Sequence, residues 1–299
     1  MKVGILGAGK WGTAMAEVLK RNGHETAFRH HGDAAQGWPE GIDFLVLAIP
    51  VQAMRATLQA FPAPGVPVLS LSKGLEVGTG RRVSEIVAEV WPGAEAGALS
   101  GPNFASEIAA GLPAAAVVAA ESAALAERFQ NLIHHRSFRL YRSTDLRGVE
   151  LGGALKNVYA IAAGLCVGMK LGHNAYAALL TRCLAEMART GVRLGGKAET
   201  FAGLSGVGDL LLTSGSEMSR NYRVGHLLSQ GRDLASILAE VGVAEGVETA
   251  RSLYGLAAVP ADAKPVACQV HAILFEGVPP RQAVAELMER AAAPEVRDY

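Results

Sequence analysis

The 299-residue chain has few cysteines, no excess of charge of either sign and no long hydrophobic run. Its three cysteines have neither metal-ligand spacing nor disulfide-rich density, which is typical of a protein from a reducing cytosol. Basic and acidic residues each number 28, so no overall basic field is available for nucleic acid or an anionic membrane. No stretch reaches the ~18 uncharged apolar residues of a membrane helix. The short apolar start runs straight into glycines, unlike a signal peptide. We expect a cytoplasmic globular protein without membrane insertion.

The first half of the chain alternates short apolar runs with longer amphipathic segments. Several runs are apolar throughout, as in strands buried on both faces of a parallel sheet. They predict strands at 3–6, 26–29, 44–49, 66–71, 98–99 and 114–119. The segments between them predict helices at 11–21, 52–61, 80–90 and 122–133. Because strands alternating with helices form βαβ units, we predict an α/β fold that begins with a Rossmann-type doubly wound parallel sheet.

Strand signals nearly vanish after residue 145. The second half predicts helices broken by glycine and proline at 146–167, 174–194, 221–230, 234–241, 247–254, 263–275 and 280–292. An all-helical C-terminal domain is therefore expected to follow the sheet.

A glycine pattern, Gly7-Ala8-Gly9-Lys10-Trp11-Gly12, follows the first strand and opens the first helix. Gly7 permits a tight turn, Gly9 lets the backbone approach a pyrophosphate, and Gly12 lets the helix pack on the strand. A plain glycine turn can match the pattern by chance. Here strand, turn and helix stand in the required order, which favours a dinucleotide site at the helix N-terminus. We therefore predict a dinucleotide-binding domain over residues 1–145 and a substrate-binding and catalytic domain over 146–299, with the active site in the cleft between them.

The second strand ends in Arg29, His30 and His31. An NAD-selective site usually places Asp or Glu there against the ribose 2′-hydroxyl, whereas basic side chains suit the 2′-phosphate of NADP. NADP(H) is therefore slightly favoured over NAD(H). A solvated turn is the alternative, and Asp33 nearby would favour NAD.

Polar residues follow two further strands, with Lys73 after the fourth and Gly101-Pro102-Asn103 after the fifth. The carboxyl ends of parallel strands are where ligands bind in open α/β sheets. Either segment alone is more often a simple turn. Two of them at one edge favour a site.

Lys156 lies on a predicted helix, on a stripe of very small residues. Such a stripe leaves room beside the lysine for a ligand, and desolvation would lower the pKa of Lys156, as suits a general acid/base. The alternative is a lysine that extends out of a tightly packed helix pair. The stripe consists of Gly152, Gly153, Ala160, Ala163 and Gly164.

Asp209 follows a glycine-rich turn, and either caps a helix or holds Lys156 in position. The segment 219–223, Ser-Arg-Asn-Tyr-Arg, is a candidate anion pocket, because guanidinium groups match phosphate geometry. A solvated helix start is the alternative. No metal site is expected, since no Cys/His ligand set is present.

Taken in order, these segments resemble the NAD(P)-dependent glycerol-3-phosphate dehydrogenases of bacterial type. The matching blocks cover nearly the whole chain: GAGKWGTAMA at the start, LSKGLE around Lys73, LSGPNFASE around Pro102, VELGGALKNVYAIAAG around Lys156, GLSGVGDLLLTS around Asp209, SRNYRVG around Arg220 and VAEGVETA around Glu245. The resemblance implies reversible NAD(P)H-dependent reduction of dihydroxyacetone phosphate to sn-glycerol 3-phosphate, which supplies glycerophospholipid synthesis. It implies Lys156 as the general acid/base.

Motifs and resemblance together predict three sets of site residues. The catalytic set is Lys156, Asp209 and Lys73. Substrate contacts are expected at Lys73, Gly101, Asn103, Lys156, Asn157, Asp209, Thr213, Ser219, Arg220 and Asn221. Cofactor contacts are expected at Gly7, Gly9, Lys10, Trp11, Gly12, Arg29, His30, His31, Lys73, Ala105, Arg220 and Glu245.

The chain departs from the family pattern at three places. Asn103 stands where the family commonly has Ser, and Tyr222 where it often has Arg. The stretch 30–44 is shorter than usual and lacks a helix that flanks the adenosine.

Two alternatives stay open at the level of sequence. One is a 3-hydroxyacid or 6-phosphogluconate-type dehydrogenase, which carries different blocks around its lysine. The other is a non-catalytic dinucleotide-sensing protein, which would need no Lys156–Asp209 pair. The expected partner is a phosphorylated triose rather than nucleic acid, and the apolar helical half allows a homodimer.

Overall fold

A computed structural model describes residues 1–291 and 294–295. Within these residues, seven strands form one sheet in the order β2-β1-β3-β4-β5-β6-β7. The strands are β1 (Lys2–Leu6), β2 (Glu25–Arg29), β3 (Phe44–Leu47), β4 (Val68–Ser70), β5 (Ala96–Ser100), β6 (Ala114–Ala120) and β7 (Phe138–Ser143). Strands β1 to β5 are parallel, as predicted. The sheet is doubly wound and mostly parallel.

Helices cover both faces of the sheet: α1 (Lys10–Arg21), α2 (Val51–Ala60), α3 (Val83–Val90), α4 (Ala105–Ala110) and α5 (Ala123–Ile133). Strand β3 shows why its sequence is apolar throughout. Phe44 and Val46 belong to the core under α1 and α5, whereas Leu45 and Leu47 belong to the core under α2 and α3. Because successive side chains of a strand point to opposite faces, a strand covered on both sides has no polar face.

The last two strands differ from the prediction of a wholly parallel sheet. Strand β6 pairs antiparallel with β5, and β7 pairs parallel with β6. The short helix α4 packs against α1 and does not carry the chain across a face of the sheet. A strand can follow its neighbour in the parallel direction only if the connecting segment crosses a face of the sheet. Because α4 does not do so, β6 starts at the edge of the sheet where β5 ends and runs antiparallel to it. Strand β7 was not predicted, because only Phe138 and Leu140 of its side chains are buried.

The rest of the described chain is helical, as predicted. Its helices are α6 (Leu146–Gly168), α7 (His173–Arg193), α8 (Ala198–Phe201), α9 (Asp209–Ser214), α10 (Arg220–Leu228), α11 (Leu234–Val241), α12 (Glu245–Tyr254), α13 (Pro265–His271) and α14 (Pro280–Met288). The helix predicted at 263–275 is divided into α13 and a π-helical turn, Ala272–Glu276. The helix predicted at 280–292 ends at Met288, and residue 292 of that prediction lies outside the described residues.

Helix α6 forms the centre of the helical domain. It is long and apolar enough to cross a membrane, but 89% of its most apolar window is buried inside the protein, so it is a core helix. The glycines of its small-residue stripe do not leave room for a ligand, contrary to the prediction. A Cβ at Gly152 would lie 2.7 Å from the Ser205 carbonyl oxygen, and one at Gly164 would overlap the Tyr222 carbonyl. These glycines instead admit neighbouring backbone.

The start of α6 is fixed against the sheet. Asp145 accepts hydrogen bonds from the Gly148 amide at 2.9 Å and the Thr200 hydroxyl at 2.6 Å. Leu146 and Val149 form a small apolar cluster with Ala98 and Ala119 of strands β5 and β6. Helix α6 then follows β5 toward its carboxyl end, which brings Lys156 to the edge where ligands bind.

Candidate active site

The glycine turn between β1 and α1 has the shape that a pyrophosphate requires. Gly7 has φ of +105°, and a Cβ there would lie 2.6 Å from the Ala48 carbonyl oxygen. A Cβ at Gly12 would overlap the Gly7 carbonyl oxygen. Around the Cβ position of Gly9, by contrast, no heavy atom of the described residues other than its chain neighbours comes within 4 Å. The turn therefore packs tightly against the protein and leaves open space at the N-terminus of α1, so these residues fit a dinucleotide.

This turn lies where the strand order reverses, because β1 has β2 on one side and β3 on the other. Such a switch point is where open α/β sheets bind ligands. Lys10 is exposed there, whereas Trp11 is half-buried against the core under α1.

Basic side chains lie at the end of strand β2. His30 and His31 are exposed, and the Arg29 guanidinium donates to the carbonyls of Gly37 at 2.8 Å and Phe28 at 3.1 Å. The Asp33 carboxylate accepts a hydrogen bond from the His30 amide at 2.8 Å and so closes a short 3₁₀ turn. Residues His31–Gln36 form this short 3₁₀ helix.

Asp209 lies between two lysines. Its carboxylate is 2.7 Å from Lys73 Nζ and 2.9 Å from Lys156 Nζ. Lys156 also donates to the Thr213 hydroxyl at 2.6 Å, which in turn donates to Asp209 at 3.1 Å. Lys73 donates further to the Gly101 carbonyl at 3.0 Å. The three predicted catalytic residues thus meet in one buried cluster, although they come from distant parts of the sequence.

Burial and charge act in opposite directions within this cluster. Burial lowers the pKa of Lys156 to about 8, with Asp209 raising it and Lys73 lowering it further. Burial opposes ionisation of Asp209, but Lys156 and Lys73 together hold the pKa of that carboxyl below its ordinary value. An ammonium group with a pKa near neutrality is suited to donate and recover a proton.

The glycine-rich segment before Asp209 positions its carboxylate. Residues Leu204–Gly208 form a π-helical turn, and a Cβ at Gly206 would overlap the Phe201 carbonyl. Asp209 is the first residue of α9 and makes no side-chain cap there. Thr213 follows one helical turn later, on the same side as Asp209. Of the two interpretations of Asp209, the geometry matches the one that pairs it with Lys156.

Two buried amides join the surrounding elements. Asn157 donates to the carbonyl oxygens of Lys73 at 3.4 Å and Gly153 at 3.2 Å, and its own oxygen accepts from Asn221 at 2.8 Å. The Asn221 oxygen accepts from the Gly246 amide at 2.9 Å. The predicted contact residues Asn157 and Asn221 therefore also join α6, α10 and α12.

The candidate anion pocket lies at the start of α10. Ser219 caps this helix by accepting from the Tyr222 amide at 3.2 Å, and Arg220 is its exposed first residue. Arg223 instead pairs with Glu240 at 2.7 Å. An exposed guanidinium at a helix N-terminus is a favourable place for a phosphate.

Glu245 of α12 contacts the start of α2 in the N-terminal half of the chain. Its carboxylate accepts a hydrogen bond from the Val51 amide at 3.1 Å, at the start of α2 and beside the switch point. Burial raises the pKa of Glu245 to about 7. The predicted cofactor contact thus connects the helical domain to the dinucleotide edge.

Asn103 lies on the loop after β5, and Ala105 begins the helix that follows this loop. The Asn103 amide donates to the carbonyls of Pro102 at 2.9 Å and Ala115 at 3.2 Å, and its buried oxygen has no partner among the described residues. Ala105 is the first residue of α4. In the described part of the chain no cluster of three metal-binding side chains occurs.

Sequence reasoning missed Glu150 and Leu75. Glu150 on α6 binds Arg82 and Ser84 at the start of α3, and Leu75 of the β4–α3 loop is buried in the core of the helical domain. Glu150 is the one acidic residue in the 23-residue sequence of α6, and that isolation is a signal that could have identified it. No local signal marked Leu75.

Comparison with known proteins assigns both halves of the chain. Residues 2–37 and 29–126 match the family model for the NAD-dependent glycerol-3-phosphate dehydrogenase N-terminus, and residues 145–285 match the model for the C-terminus. A glycerol-3-phosphate dehydrogenase [NAD(P)+] of Thiobacillus denitrificans is 45% identical, over 97% of this chain and 98% of its own. One of Geobacter sulfurreducens is 42% identical, over 97% of each chain.

A solved structure agrees with the sequence relatives. The glycerol-3-phosphate dehydrogenase of Coxiella burnetii superposes with a TM-score of 0.87 at 35% identity, over 97% of this chain and 99% of its own.

Proposed function

The chain belongs to the NAD-dependent glycerol-3-phosphate dehydrogenase family, and from that premise we propose which residues carry its reaction. It is an NAD(P)-dependent oxidoreductase that reduces dihydroxyacetone phosphate to sn-glycerol 3-phosphate, a reaction that supplies glycerophospholipid synthesis. Related hydroxyacid-type dehydrogenases and a non-catalytic sensor are not favoured, because full-length relatives at 41–45% identity carry the one activity in their names. The observation that supports the residue roles is the buried Lys73–Asp209–Lys156 cluster.

Lys156 is the general acid of the reduction. Negative charge develops on the ketone oxygen as the carbonyl carbon is reduced, and the Lys156 ammonium donates the proton that neutralises it. Asp209 and Thr213 hold Nζ in place through contacts of 2.9 and 2.6 Å. In the reverse direction, the neutral amine takes the proton from the alcohol.

Lys73 adds a second positive charge beside the reacting oxygen. Its ammonium is fixed by Asp209 and the Gly101 carbonyl, so it requires little reorganisation when the oxygen becomes negative. The substrate phosphate binds the Arg220 guanidinium at the start of α10, beside Ser219 and Asn221. In this assignment, Lys73 and Lys156 act on the reacting oxygen and Arg220 binds the phosphate.

The sheet edge at the switch point would hold the cofactor. NAD(P)H, when bound, supplies the hydride that reduces the ketone carbon. Gly7, Gly9 and Gly12 shape the pyrophosphate turn, Lys10 and Trp11 border it, and Glu245 approaches it from α12. The residues present therefore fit the group that the family name requires.

The decisive experiment follows absorbance at 340 nm with dihydroxyacetone phosphate and NADPH or NADH. We expect oxidation by the wild type and a loss of at least about 100-fold in kcat for Lys156→Met, since a general acid contributes 10²–10⁴-fold. Lys197→Met, which changes an exposed lysine of the same domain, is the matched control and should keep full activity. An active, folded Lys156→Met enzyme would contradict the assignment.

We also propose a preference for NADPH. Arg29, His30 and His31 are the basic groups at the end of β2, while Asp33 is engaged by the His30 amide. Arg29→Gln should therefore raise KM for NADPH by about tenfold and leave KM for NADH unchanged, consistent with loss of one charged hydrogen bond of 1.5–3 kcal/mol. Equal effects on both cofactors would refute the preference.

The proposal also covers the domain boundary, the cellular location and the oligomeric state. We place the domain boundary between residues 145 and 146, because Asp145 caps α6 directly after β7.

We place the enzyme in the cytoplasm, which suits three cysteines that form no disulfide in the described structure. We propose a homodimer through the helical domain, which bears exposed apolar side chains such as Leu211 and Met218; light scattering of the purified protein tests it.

A further inference from the structure

One face of α6 contacts both ends of the loop that carries Lys73. This β4–α3 loop consists of residues 71–82 and connects the end of strand β4 to the start of helix α3. Glu150, Gly153 and Asn157 are spaced by three and four residues, so they share one side of α6. Each of them meets the loop or its immediate neighbours.

Glu150 holds the end of the loop at α3. Its carboxylate is buried and accepts hydrogen bonds from Arg82 Nη1 at 2.5 Å, the Ser84 amide at 2.8 Å and the Ser84 hydroxyl at 2.6 Å. Arg82 also pairs with Glu85 of its own helix at 3.0 Å. A buried carboxylate with three donors forms a rigid connection, since loss of any donor leaves a desolvated charge.

Asn157 and Gly153 hold the end of the loop at β4. Asn157 donates to the Lys73 carbonyl at 3.4 Å. A Cβ at Gly153 would lie 3.4 Å from Cγ of Lys73 and 2.6 Å from Oγ of Ser100, so α6 lies directly against the lysine side chain. Leu75, two residues further on, is 1% exposed and packs in the helical core.

We propose that Glu150 is a positioning residue, which fixes the α3 end of the β4–α3 loop on α6 and so helps to set where the Lys73 ammonium stands beside Lys156. It acts together with the contacts that Lys73 itself makes with Asp209 and the Gly101 carbonyl. The inference rests on the proposed function, in which both lysines act on the substrate oxygen. The loop contains Gly74, Gly78 and Gly80, the last two at φ of +85° and +69°. Such a glycine-rich loop has many alternative conformations, so its geometry depends on its attachment points. Besides α6, these include the ion pair between Arg55 of α2 and Glu76 of the loop.

The charges around Lys156 determine its pKa, which can be measured from the pH profile and which simple destabilisation of the fold would not change. Lys73 and Asp209 are the charged groups that act on Lys156, Lys73 lowering its pKa and Asp209 raising it. If Lys73 moves away, its repulsion is lost and Asp209 pairs with Lys156 alone. Both changes raise the pKa of Lys156, so the basic limb of the kcat/KM profile for reduction moves to higher pH.

The experiment compares Glu150→Gln with Glu85→Gln. Both substitutions remove a carboxylate from Arg82, but only Glu150 connects that arginine to α6. We expect Glu150→Gln to reduce kcat/KM for dihydroxyacetone phosphate by about 10- to 100-fold, as a displacement near 1 Å does, and to raise the basic limb. Glu85→Gln should leave the limb unchanged. The dissociation constant of NADPH, measured by its fluorescence, should stay within twofold in both.

Ser84→Ala provides a milder test if Glu150→Gln does not fold. It removes one donor to Glu150 and leaves the Arg82 contact and the Ser84 amide. A smaller shift of the limb in the same direction is expected, with thermal unfolding used to verify the fold. An unchanged limb in a folded Ser84→Ala or Glu150→Gln protein overturns the proposal, and so does an equal shift in Glu85→Gln.

A second readout is independent of activity. Trace acetylation with acetic anhydride, quantified by mass spectrometry, reports the reactivity of Lys73 relative to the exposed Lys197. Release of the loop should make Lys73 severalfold more reactive in Glu150→Gln than in the wild type or Glu85→Gln. Unchanged reactivity overturns the positioning role. If the wild type fails to reduce dihydroxyacetone phosphate, the proposed function fails while this comparison still decides the position of Lys73.

Discussion

The substitution Asp209→Asn changes the charge of the catalytic cluster while keeping its shape. Asparagine is nearly isosteric with aspartate and retains an oxygen that accepts from Lys156 or Lys73. It removes the negative charge that lies 2.9 Å from one ammonium and 2.7 Å from the other. The two lysines then repel each other without compensation. The pKa of Lys156, now about 8, must therefore fall.

The size of this fall follows from the contact distance. An opposite charge within about 4 Å shifts a pKa by roughly 1 to 3 units, equivalent to roughly 1.4 to 4 kcal/mol. A fall of about 2 units leaves roughly one Lys156 in ten protonated at pH 7, where the wild type keeps about nine in ten. Reduction of the ketone needs the protonated form, so kcat/KM at pH 7 falls about tenfold from this cause alone.

The assay is the pH profile of kcat/KM for dihydroxyacetone phosphate with NADPH, followed at 340 nm. We expect the basic limb to move down from about pH 8 and activity to recover in part at acidic pH. Asp233→Asn is the control, because Asp233 is exposed and caps α11, a role that asparagine also performs. A limb that stays near pH 8 or moves upward in Asp209→Asn would refute the electrostatic role of the carboxylate.

Two further predictions concern binding and stability. Gly9→Ala should weaken NADPH binding at least tenfold without lowering Tm, because its methyl group enters open space. Gly12→Ala should lower both the NADPH affinity and Tm, because its methyl group would overlap the Gly7 carbonyl. Fluorescence titration and thermal unfolding distinguish the two cases. Burial raises the pKa of Glu186 to about 7, so the folded protein binds this proton more tightly than the unfolded chain, and Glu186 reduces stability progressively as pH rises from about 4.5 to 7. Glu186→Gln should remove up to about 3 kcal/mol of that pH dependence in urea unfolding, and an unaltered dependence would contradict it.

The fold was predictable where each element carries its own signal. Strand β3 is apolar throughout because it is covered on both faces, and the glycine turn is readable because Gly7 and Gly12 each meet a backbone carbonyl. Strand β7 gave a weaker signal, since its exposed arginines interrupt the apolar pattern at the edge of the sheet. The direction of β6 depends on how α4 packs, which no local pattern records.

The catalytic cluster was predictable only in part. Lys156 and Asp209 stand out as charged residues next to glycines, but their separation of 2.9 Å results from the packing of α9 on α6. The glycines near Lys156 on α6 were wrongly interpreted as space for a ligand, because a glycine in a sequence does not distinguish open space from close contact with a neighbouring chain segment. Glu150 and Leu75 act across the two domains, and such contacts depend on tertiary structure alone.

Because α6 runs along β5, the number of residues between Asp145 and Lys156 determines how far along the strand Lys156 lies. Eleven residues of helix rise about 16 Å, close to the length of a five-residue strand at about 3.3 Å per residue. The cap at Asp145 fixes where counting starts, and Asp209 fixes where it must end. One inserted residue would shift Lys156 by about 1.5 Å and turn it by about 100°. Evolution can therefore vary the side chains of this segment far more freely than its length.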